Sequence, residues 1–322
     1  MKILLIRFSS LGDLITLEVA FRAYRHFFKE EHLTLLTSNL GKGVYQDTNY
    51  FDEYIVGKNF RERLRLLRKN EYDLIINLQC TRPSHWITLF SKKRKLINQS
   101  ASMLQKYFYI KPKVKSHKDI LIDLGYDRKE VEMFFQSNST ISLPYISTIF
   151  PWSGQQKKVV ALAPGASERW ESKKWGDQYY LELTGKLLSA GYIVVLIGSA
   201  LEQPIGKEIE KAFPQSINMI DKTNLSQLKG LLASVDLLVC NDSGPAHLAA
   251  AVGTNTLTIF GSTDIKHCVA FGGYYGKHKY VVSDLRLSCQ PCYKSKCPTQ
   301  HECMNSISVM QISSLVNESI EQ

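Results

Sequence analysis

Short apolar runs alternate with amphipathic stretches along the whole chain. Lys2–Ile6 and Tyr72–Leu78 are nearly continuous apolar runs, which is typical of strands buried on both faces. From Asp13 to about Phe28 the apolar residues recur at helical spacing instead. Strands that alternate with helices in this way predict a parallel sheet wrapped by helices.

A second series of the same kind begins near residue 158. Its predicted strands are 158–163, 192–198, 236–240 and 254–260, and its predicted helices are 175–190, 225–233 and 245–252. Residues 143–157 carry Pro144, Pro151 and Gly154, which is typical of a linker. We therefore predict two α/β domains, residues 1–150 and 151–322. In doubly wound sheets ligands bind at the carboxyl ends of the strands, so two facing halves would form a cleft.

Composition places the chain among ordinary globular proteins. It has 322 residues, 44% of them hydrophobic and 22% charged, and a formal net charge of +10. No run approaches the roughly 18 apolar residues of a membrane span, and the start lacks a signal-peptide cleavage site, so a cytoplasmic protein is expected. The positive charge favours acidic partners: nucleic acid, an anionic membrane, or a phosphorylated or carboxylated substrate.

The first segment with candidate chemistry directly follows the first predicted strand. Gly12 lets a ligand approach the backbone closely, and Ser9 and Ser10 offer hydroxyl and amide groups. Asp13 falls in the first turn of the next helix. An acid is also an ordinary helix-start residue, so this pattern by itself favours a structural role for Asp13.

A second segment, Asn241–His247, also joins a predicted strand to a helix. Ser243 or Gly244 can cap that helix, and its free amide groups suit an anion such as a diphosphate. The alternative is a plain turn, since Asp, Ser, Gly and Pro are common turn formers. That alternative leaves His247 in a short apolar helix without an evident partner.

Two further loops carry charged residues after predicted strands. The loop 166–175 is long and rich in charged and aromatic residues, and a lysine there, such as Lys173, can neutralise phosphate charge. Glu202 follows another strand, where a carboxylate can hydrogen-bond a ribose. Glu202 could equally be a helix-start acid.

The seven cysteines divide into two groups. Four of them lie within one short loop and can form a thiolate site for zinc or iron, with reduced thiols or a disulfide as the alternatives: Cys289, Cys292, Cys297 and Cys303. The other three are predicted to be buried small hydrophobic side chains: Cys80, Cys240 and Cys268.

Together these segments resemble glycosyltransferase family 9, the ADP-heptose:lipopolysaccharide heptosyltransferases. The matching stretches are Arg7–Asp13, Asp73–Gln79, Ala163–Ala166 with Lys173–Trp175, and Asn241–Ala250. The resemblance implies a GT-B fold, in which two Rossmann-like domains face each other across a central cleft. It also implies that the last helix, near 309–320, crosses back to the first domain.

The resemblance also implies an inverting transfer that needs no catalytic metal. Asp13 would take the proton from the acceptor hydroxyl, while Lys173 faces the diphosphate and Glu202 faces the ribose. The remaining expected substrate contacts are Ser9, Ser10 and Gly12 in the first domain, and Asp242, Ser243, Gly244 and His247 in the second. A structural zinc or iron ion at the four-cysteine loop is the one metal considered.

The chain departs from the family pattern at several positions. Asn77 stands where many members carry an aspartate, and Glu18 replaces a residue that is more often apolar. Lys174 separates Lys173 from Trp175, and no proline follows that tryptophan. These departures leave the class intact and put the identity of the donor and acceptor in question.

The expected partners are ADP-heptose, a lipopolysaccharide core acceptor and, peripherally, the inner membrane. Residues 61–69 are predicted to form a basic helix, and the stretch of about 91–118 is basic and predicted to be irregular. The helix and residues 92–95 are candidates for holding an acidic acceptor. Rival hypotheses are a transferase for another nucleotide sugar or a protein acceptor, and a nucleotide-sugar-binding protein without turnover, against which Asp13 and Lys173 argue. A nucleic-acid binder is disfavoured because no recognised motif or stacking platform is present.

Overall fold

The computed structural model describes residues 1–57, 59–100, 114–265 and 276–321. The chain divides into two compact units, residues 1–143 and 144–322. The division falls at the start of the proline-containing segment that the sequence indicates as a linker. Cys268 and the basic residues of the stretch 101–113 lie outside the described residues, so their predictions stay untested.

The first unit contains a parallel sheet of five strands in the order β3-β2-β1-β4-β5. The strands are β1 (Lys2–Ile6), β2 (His32–Thr37), β3 (Glu53–Val56), β4 (Glu71–Asn77) and β5 (Lys92–Asn98). The helices are α1 (Leu11–Thr16), α2 (Glu18–Phe27), α3 (Asn39–Tyr45), α4 (Phe60–Leu67), α5 (Arg82–Leu89), α6 (His117–Asp123) and α7 (Arg128–Ser137).

Two elements of this unit differ from the sequence prediction. The basic stretch 92–95, expected to be irregular, belongs to β5, which pairs with β4 on one side only. An edge strand tolerates consecutive charged residues because much of it faces water, and this hides the strand from hydrophobic patterning. The single helix predicted from Asp13 is two helices that meet at Leu17, and the first begins at Leu11.

The unusual Glu18 is buried at the start of α2 and ties three segments together. Its carboxylate accepts a hydrogen bond from Tyr50 Oη at 2.5 Å, from Arg22 at 3.3 Å and from the Ser142 amide at 3.3 Å. Burial raises the pKa of Glu18 in spite of these donors. The departure at this position is therefore a polar anchor for the chain near residue 142.

The second unit contains a parallel sheet of six strands in the order β11-β10-β9-β6-β7-β8. The strands are β6 (Val159–Ala163), β7 (Ile193–Leu196), β8 (Ile217–Asn218), β9 (Leu237–Asn241), β10 (Asn255–Phe260) and β11 (His278–Val282). The helices are α8 (Asp177–Ser189), α9 (Gln203–Ala212), α10 (Leu225–Ala233), α11 (Gly244–Ala251), α12 (Glu302–Asn305) and α13 (Val309–Glu321), and residues 171–173 and 200–202 form 3₁₀ turns.

The last helix, α13, belongs to the core of the second unit. It packs against α8, β9 and β10, and its residues Val309, Ile312 and Val316 are buried there. These side chains recur at helical spacing, and the helix agrees in its bounds with the one near 309–320 that the family resemblance implies. A crossing of this helix to the first unit stays a prediction, as does the central cleft.

In each sheet the strands follow chain order outward in both directions from one point near the centre, which we call the strand reversal. This point determines where the candidate site loops lie. In the first unit the reversal lies between β1 and β4, and in the second it lies between β6 and β9. Ligands of open α/β sheets bind beyond the carboxyl ends of the strands at such a point. The loops after β1, β6 and β9 carry most of the candidate residues.

No helix in the described part of the chain is both long and apolar enough to cross a lipid bilayer. Helix α9 packs beside β8 and buries Ile205, Gly206 and Ile209.

Acid should destabilise the fold through His117. The His117 ring bonds Tyr24 Oη at 3.0 Å and Gln99 Nε2 at 3.2 Å, and desolvation, helped by the nearby Arg7 charge, lowers its pKa from 6.5 to about 4. The folded state keeps this ring neutral, so the free energy of unfolding is highest above pH 6.5. It should fall by up to about 3 kcal/mol as pH falls from 6.5 towards 4, because the unfolded state takes up the proton first.

Urea denaturation between pH 4 and 7.5 tests this expectation. His117→Asn should flatten the fall of unfolding free energy across that window. An unchanged pH dependence in the variant would assign the acid sensitivity to other groups.

Candidate functional site

Asn241 holds three segments together at the centre of the second sheet. Its fully buried amide donates to Pro164 O at 2.8 Å and to Gly165 O at 3.1 Å, and its Oδ1 accepts the Trp175 amide at 3.0 Å. The end of β9 is therefore joined to the loop after β6 and to the start of α8. A single side chain fixes the geometry of the loops around the strand reversal.

The next residue, Asp242, forms a partly buried ion pair with Lys173. Lys173 Nζ lies 2.5 Å from Asp242 Oδ2, and Thr263 Oγ1 donates to the same oxygen at 2.8 Å. The ammonium group also lies 5.1 Å from the centre of the Trp170 ring. The long lysine side chain is thereby held in one place, which lowers the entropy cost of presenting its charge to a ligand.

The start of α11 is half-buried, since residues 243–247 are all partly exposed. Ser243 is the N-cap in an extended conformation, but its hydroxyl donates back to Asn241 O at 3.1 Å and makes no cap bond in the described structure. Pro245 occupies the first turn, and His247 follows, half-buried, in the same helix. An uncapped helix start next to a held lysine is a suitable place for a phosphate group.

Glu202 is buried against two glycines near the same loops. Ser199 donates to Glu202 Oε2 from both its amide and its hydroxyl, each at 2.8 Å, so the acid completes a capping box. A Cβ on Gly165 would lie 2.5 Å from Glu202 Oε1, and one on Gly198 would lie 3.1 Å from Oε2. The carboxylate therefore approaches the loop after β6 only because glycine is present there.

In the first unit, Asp13 is the acid of another capping box. Ser10 donates to Asp13 Oδ2 from its amide at 2.9 Å and from its hydroxyl at 3.0 Å, and Arg7 lies 3.1 Å from the same oxygen. All of these contacts use Oδ2, and 55% of the side chain remains exposed. One oxygen is thus held in place while the carboxylate faces solvent.

Gln79 supports the loop that carries Ser9 and Ser10. Its Oε1 accepts the Phe8 amide at 2.8 Å and the Ser9 amide at 3.4 Å, which ties the loop after β1 to the loop after β4. Arg7 adds a bond to Leu78 O at 2.9 Å. The strand reversal of the first unit is therefore cross-linked by side chains, as is that of the second.

The structure brings the predicted residues into two groups, one in each unit. Ser9, Ser10, Gly12 and Asp13 lie together after β1. Lys173, Asp242, Ser243, Gly244 and His247 lie around the ends of β6 and β9, and Glu202 reaches the same loop through Gly165.

Sequence reasoning assigned no role to four residues that the structure places in these groups. Thr263 bonds Asp242, Asn241 joins the surrounding loops, and Arg7 and Gln79 brace the first group. Asn241, Arg7 and Gln79 lie inside the motifs matched to the family, and this position could have marked them as candidates. Thr263 follows β10, and only the sheet order shows that this strand ends beside β9.

The cysteine loop lines one small open cavity. All four thiols, Cys289, Cys292, Cys297 and Cys303, contribute to its wall. None of the described cysteines forms a disulfide, and the described residues contain no group of three or more ligands placed to share a metal ion. Burial and the other three thiols raise the pKa of Cys303 to about 11.

The same loop packs against the residue before Lys173. His301 Nε2 lies 2.8 Å from Ser172 O, and the Ser172 amide donates to Ser295 O at 3.1 Å. Ser172 Oγ also bonds Ser262 Oγ at 2.9 Å, next to Thr263. The cysteine loop therefore contacts Ser172, which precedes Lys173, and Ser262, which precedes Thr263.

Cys80 and Cys240 are buried, as predicted. Burial raises the pKa of the Cys240 thiol to about 12, so this side chain stays protonated and acts as a small apolar group.

Comparison with known proteins decides the family. The model of glycosyltransferase family 9 (heptosyltransferase) matches residues 61–302 of the chain. The chain belongs to this family. It is thus a glycosyltransferase, and the resemblance derived from the sequence motifs is confirmed.

Two curated relatives of this glycosyltransferase are lipooligosaccharide heptosyltransferases 2. The one from Campylobacter jejuni is 26% identical over 305 residues, covering 92% of the chain and 91% of that protein. The one from Haemophilus influenzae is 36% identical over 113 residues, covering 34% of the chain but only 32% of that protein.

Among solved structures, Escherichia coli ADP-heptose lipopolysaccharide heptosyltransferase II superposes with a TM-score of 0.75 at 21% identity. The superposition covers 100% of the chain and 99% of that protein. At this identity the likeness shows the fold, which is the GT-B fold expected from the motifs.

We expect Lys173→Ala to destabilise the protein as well as to weaken ADP binding. Among the described residues, the variant leaves only Thr263 bonded to the buried Asp242 carboxylate, and breaking a buried pair from one side costs roughly 3 to 5 kcal/mol. Thermal unfolding and calorimetric titration with ADP measure the two effects.

The double variant Lys173→Met with Asp242→Asn separates the two effects. Without either charge, stability should return towards that of the unmodified protein while ADP binding stays weak. Full recovery of ADP affinity in the double variant would show that the lysine charge is not used for the nucleotide.

Proposed function

We propose that this chain is an inverting heptosyltransferase that moves heptose from ADP-heptose onto the inner core of lipopolysaccharide. Family membership and the heptosyltransferase relatives support the reaction class. The single observation that carries the proposal is the held Lys173 beside the start of α11, which has no side-chain cap in the described structure, at the strand reversal of the second unit. This arrangement suits the diphosphate of a nucleotide sugar.

The donor half of the proposal assigns a different role to each residue of this cluster. Lys173 and the α11 amides stabilise the negative charge that develops on ADP as it leaves. Asp242 positions Lys173 and does not touch the diphosphate itself, since like charges repel. Glu202 keeps Oε2 on Ser199 and offers Oε1 to the ribose hydroxyls.

The acceptor half assigns the general base to Asp13. As the acceptor oxygen bonds to the anomeric carbon, its proton passes to the Asp13 carboxylate, and the bond from that carbon to the diphosphate oxygen breaks. Attack opposite the leaving group inverts the anomeric centre. Arg7 and Ser10 hold Oδ2, so the base is Oδ1.

Two alternatives within the proposal concern the substrates and the turnover. Another nucleotide sugar or a protein acceptor would use the same donor cluster, and a panel of nucleotide sugars with mass spectrometry of the products separates these cases. A binding protein without turnover would bind ADP-heptose and release neither ADP nor product. The residues of both groups argue for turnover.

The proposed setting is the cytoplasm, with the enzyme meeting its acceptor at the surface of the inner membrane. A lipopolysaccharide core is tethered to lipid, so its sugars lie within reach of an anionic bilayer. The basic surplus of the chain, +10 in formal charge, suits such a surface.

We further propose that the four-cysteine loop holds a structural zinc or iron ion. Four thiols at one cavity are a donor set that both metals accept, although the loop must contract to bring them onto one ion. The ion would stiffen the loop that supports Ser172 and so Lys173. It would take no part in the transfer step.

Asp13→Asn should lower kcat by about 10²- to 10⁴-fold while ADP affinity stays within twofold. Asparagine still offers an oxygen to the Ser10 amide, so the helix start persists. The matched control is Asp119→Asn, because Asp119 completes the same capping box with Ser116 at 3.1 Å and 2.7 Å. Near-normal turnover of the Asp13 variant would remove this residue from the mechanism.

Metal analysis of the purified protein tests the cysteine proposal. We expect about one zinc or iron ion per chain, lost in Cys297→Ser and Cys303→Ser and kept in the control Cys240→Ala. Chelation should lower the melting temperature and weaken ADP binding together. Metal-free protein with full stability would contradict the proposal.

A further inference from the structure

Helix α5 exposes a large apolar surface in the first unit. Trp86 is 43% exposed, Leu89 65% and Phe90, the residue that follows the helix, 46%. Trp86 and Phe90 stack with ring centres 5.8 Å apart and planes 12° apart. Large side chains of this kind are seldom grouped on a surface without a function.

The opposite side of α5 already forms the contact with the sheet. Ser84, Ile87 and Thr88 are buried, whereas Trp86, Leu89 and Phe90 fall on the other face. The exposed rings are therefore not needed to attach the helix to the unit. They form a second apolar face that is one helical turn long.

Helix α4 packs beside α5 and places positive charge along one side of this face. Arg61, Arg65 and Arg68 are exposed at a spacing that places them on one side of α4, and Arg68 lies 5.9 Å from the centre of the Phe90 ring. Arg63, in contrast, turns away to the Phe8 ring and to Gly57 O. Glu62 is the one acidic residue of α4.

We propose that this surface, formed by the exposed faces of α4 and α5, docks on an anionic lipid bilayer. The tryptophan and its apolar neighbours would enter the interfacial layer, where an aromatic ring is stable, while the arginines contact lipid phosphates. This proposal goes beyond the transfer reaction. It rests on the proposed function only in that a lipid-linked acceptor gives the protein a reason to bind a membrane.

Charge decides between a bilayer and a second copy of the chain as the occupant. A two-fold contact would bring the same arginine face of each copy together, and like charges would oppose the apolar attraction. An anionic bilayer complements both parts of the surface at once. The docking therefore needs both the apolar and the basic side chains.

Tryptophan fluorescence with lipid vesicles provides the first test. Trp152 and Trp175 are buried and Trp170 is half-buried in the second unit, so Trp86 is the most exposed tryptophan and is positioned to report contact with lipid. Adding phosphatidylglycerol vesicles to the full chain, without donor or acceptor, should shift the emission to shorter wavelength, and phosphatidylcholine vesicles should not. Trp86→Phe should lose the shift; a shift retained in this variant overturns the proposal.

Co-sedimentation with the same vesicles tests the two contributions separately. One basic side chain near an anionic surface contributes about fivefold in binding, so Arg65→Gln with Arg68→Gln should weaken binding roughly 25-fold. The matched control is Lys207→Gln with Lys211→Gln, which removes two exposed charges from α9.

The apolar contribution has an equally matched control. Leu89→Ser should weaken vesicle binding several-fold, whereas Met133→Ser, at a residue of the same 65% exposure in α7, should not. Unchanged melting temperatures establish that each variant is folded. Equal losses in the test and control variants, or a dimer that Leu89→Ser dissociates in sedimentation velocity, overturns the proposal. Because no substrate is present, this outcome leaves the proposed transfer untouched.

Discussion

The contact between Lys173 and Asp242 is the interaction on which the proposed donor site depends. A lysine ammonium is strongly hydrated and flexible, and the carboxylate, with Thr263 and the Trp170 ring, keeps it in one place beside the start of α11. The pair exists because the sheet places β6 next to β9, so the loops that follow these strands meet. Asn241 then locks those loops together through three hydrogen bonds.

The two acids assigned to chemistry, Asp13 and Glu202, are also helix-capping residues. Each accepts two hydrogen bonds from the serine three positions earlier, in the same way as Asp119, which has no proposed chemical role. What distinguishes them is their surroundings. Arg7 contacts Asp13, and Gly165 lets Glu202 reach the loop after β6. The capping bonds therefore hold one oxygen of each acid and do not use the other.

Support for the donor site extends well beyond the residues that would touch ADP. The cysteine loop bonds Ser172 and Ser262, which directly precede Lys173 and Thr263 in the chain. In the first unit, α4 and α5 leave an apolar and basic face unused by the core. The proposed anion site thus belongs to the second unit, and the proposed lipid-docking surface belongs to the first.

The sequence by itself determined the fold class, the family and most residues of both groups, because buried parallel strands are continuous apolar runs and the motifs follow those strands directly. It missed β5, since an edge strand tolerates four consecutive basic residues, and it left Thr263 unassigned, since the order of strands in a sheet depends on long-range pairing. The sequence could also not decide whether Asp13 and Glu202 cap helices or face substrate. The structure shows that each acid caps a helix with one of its two oxygens. The sequence could not show this, because a helix-start acid has the same sequence pattern whether it is functional or structural.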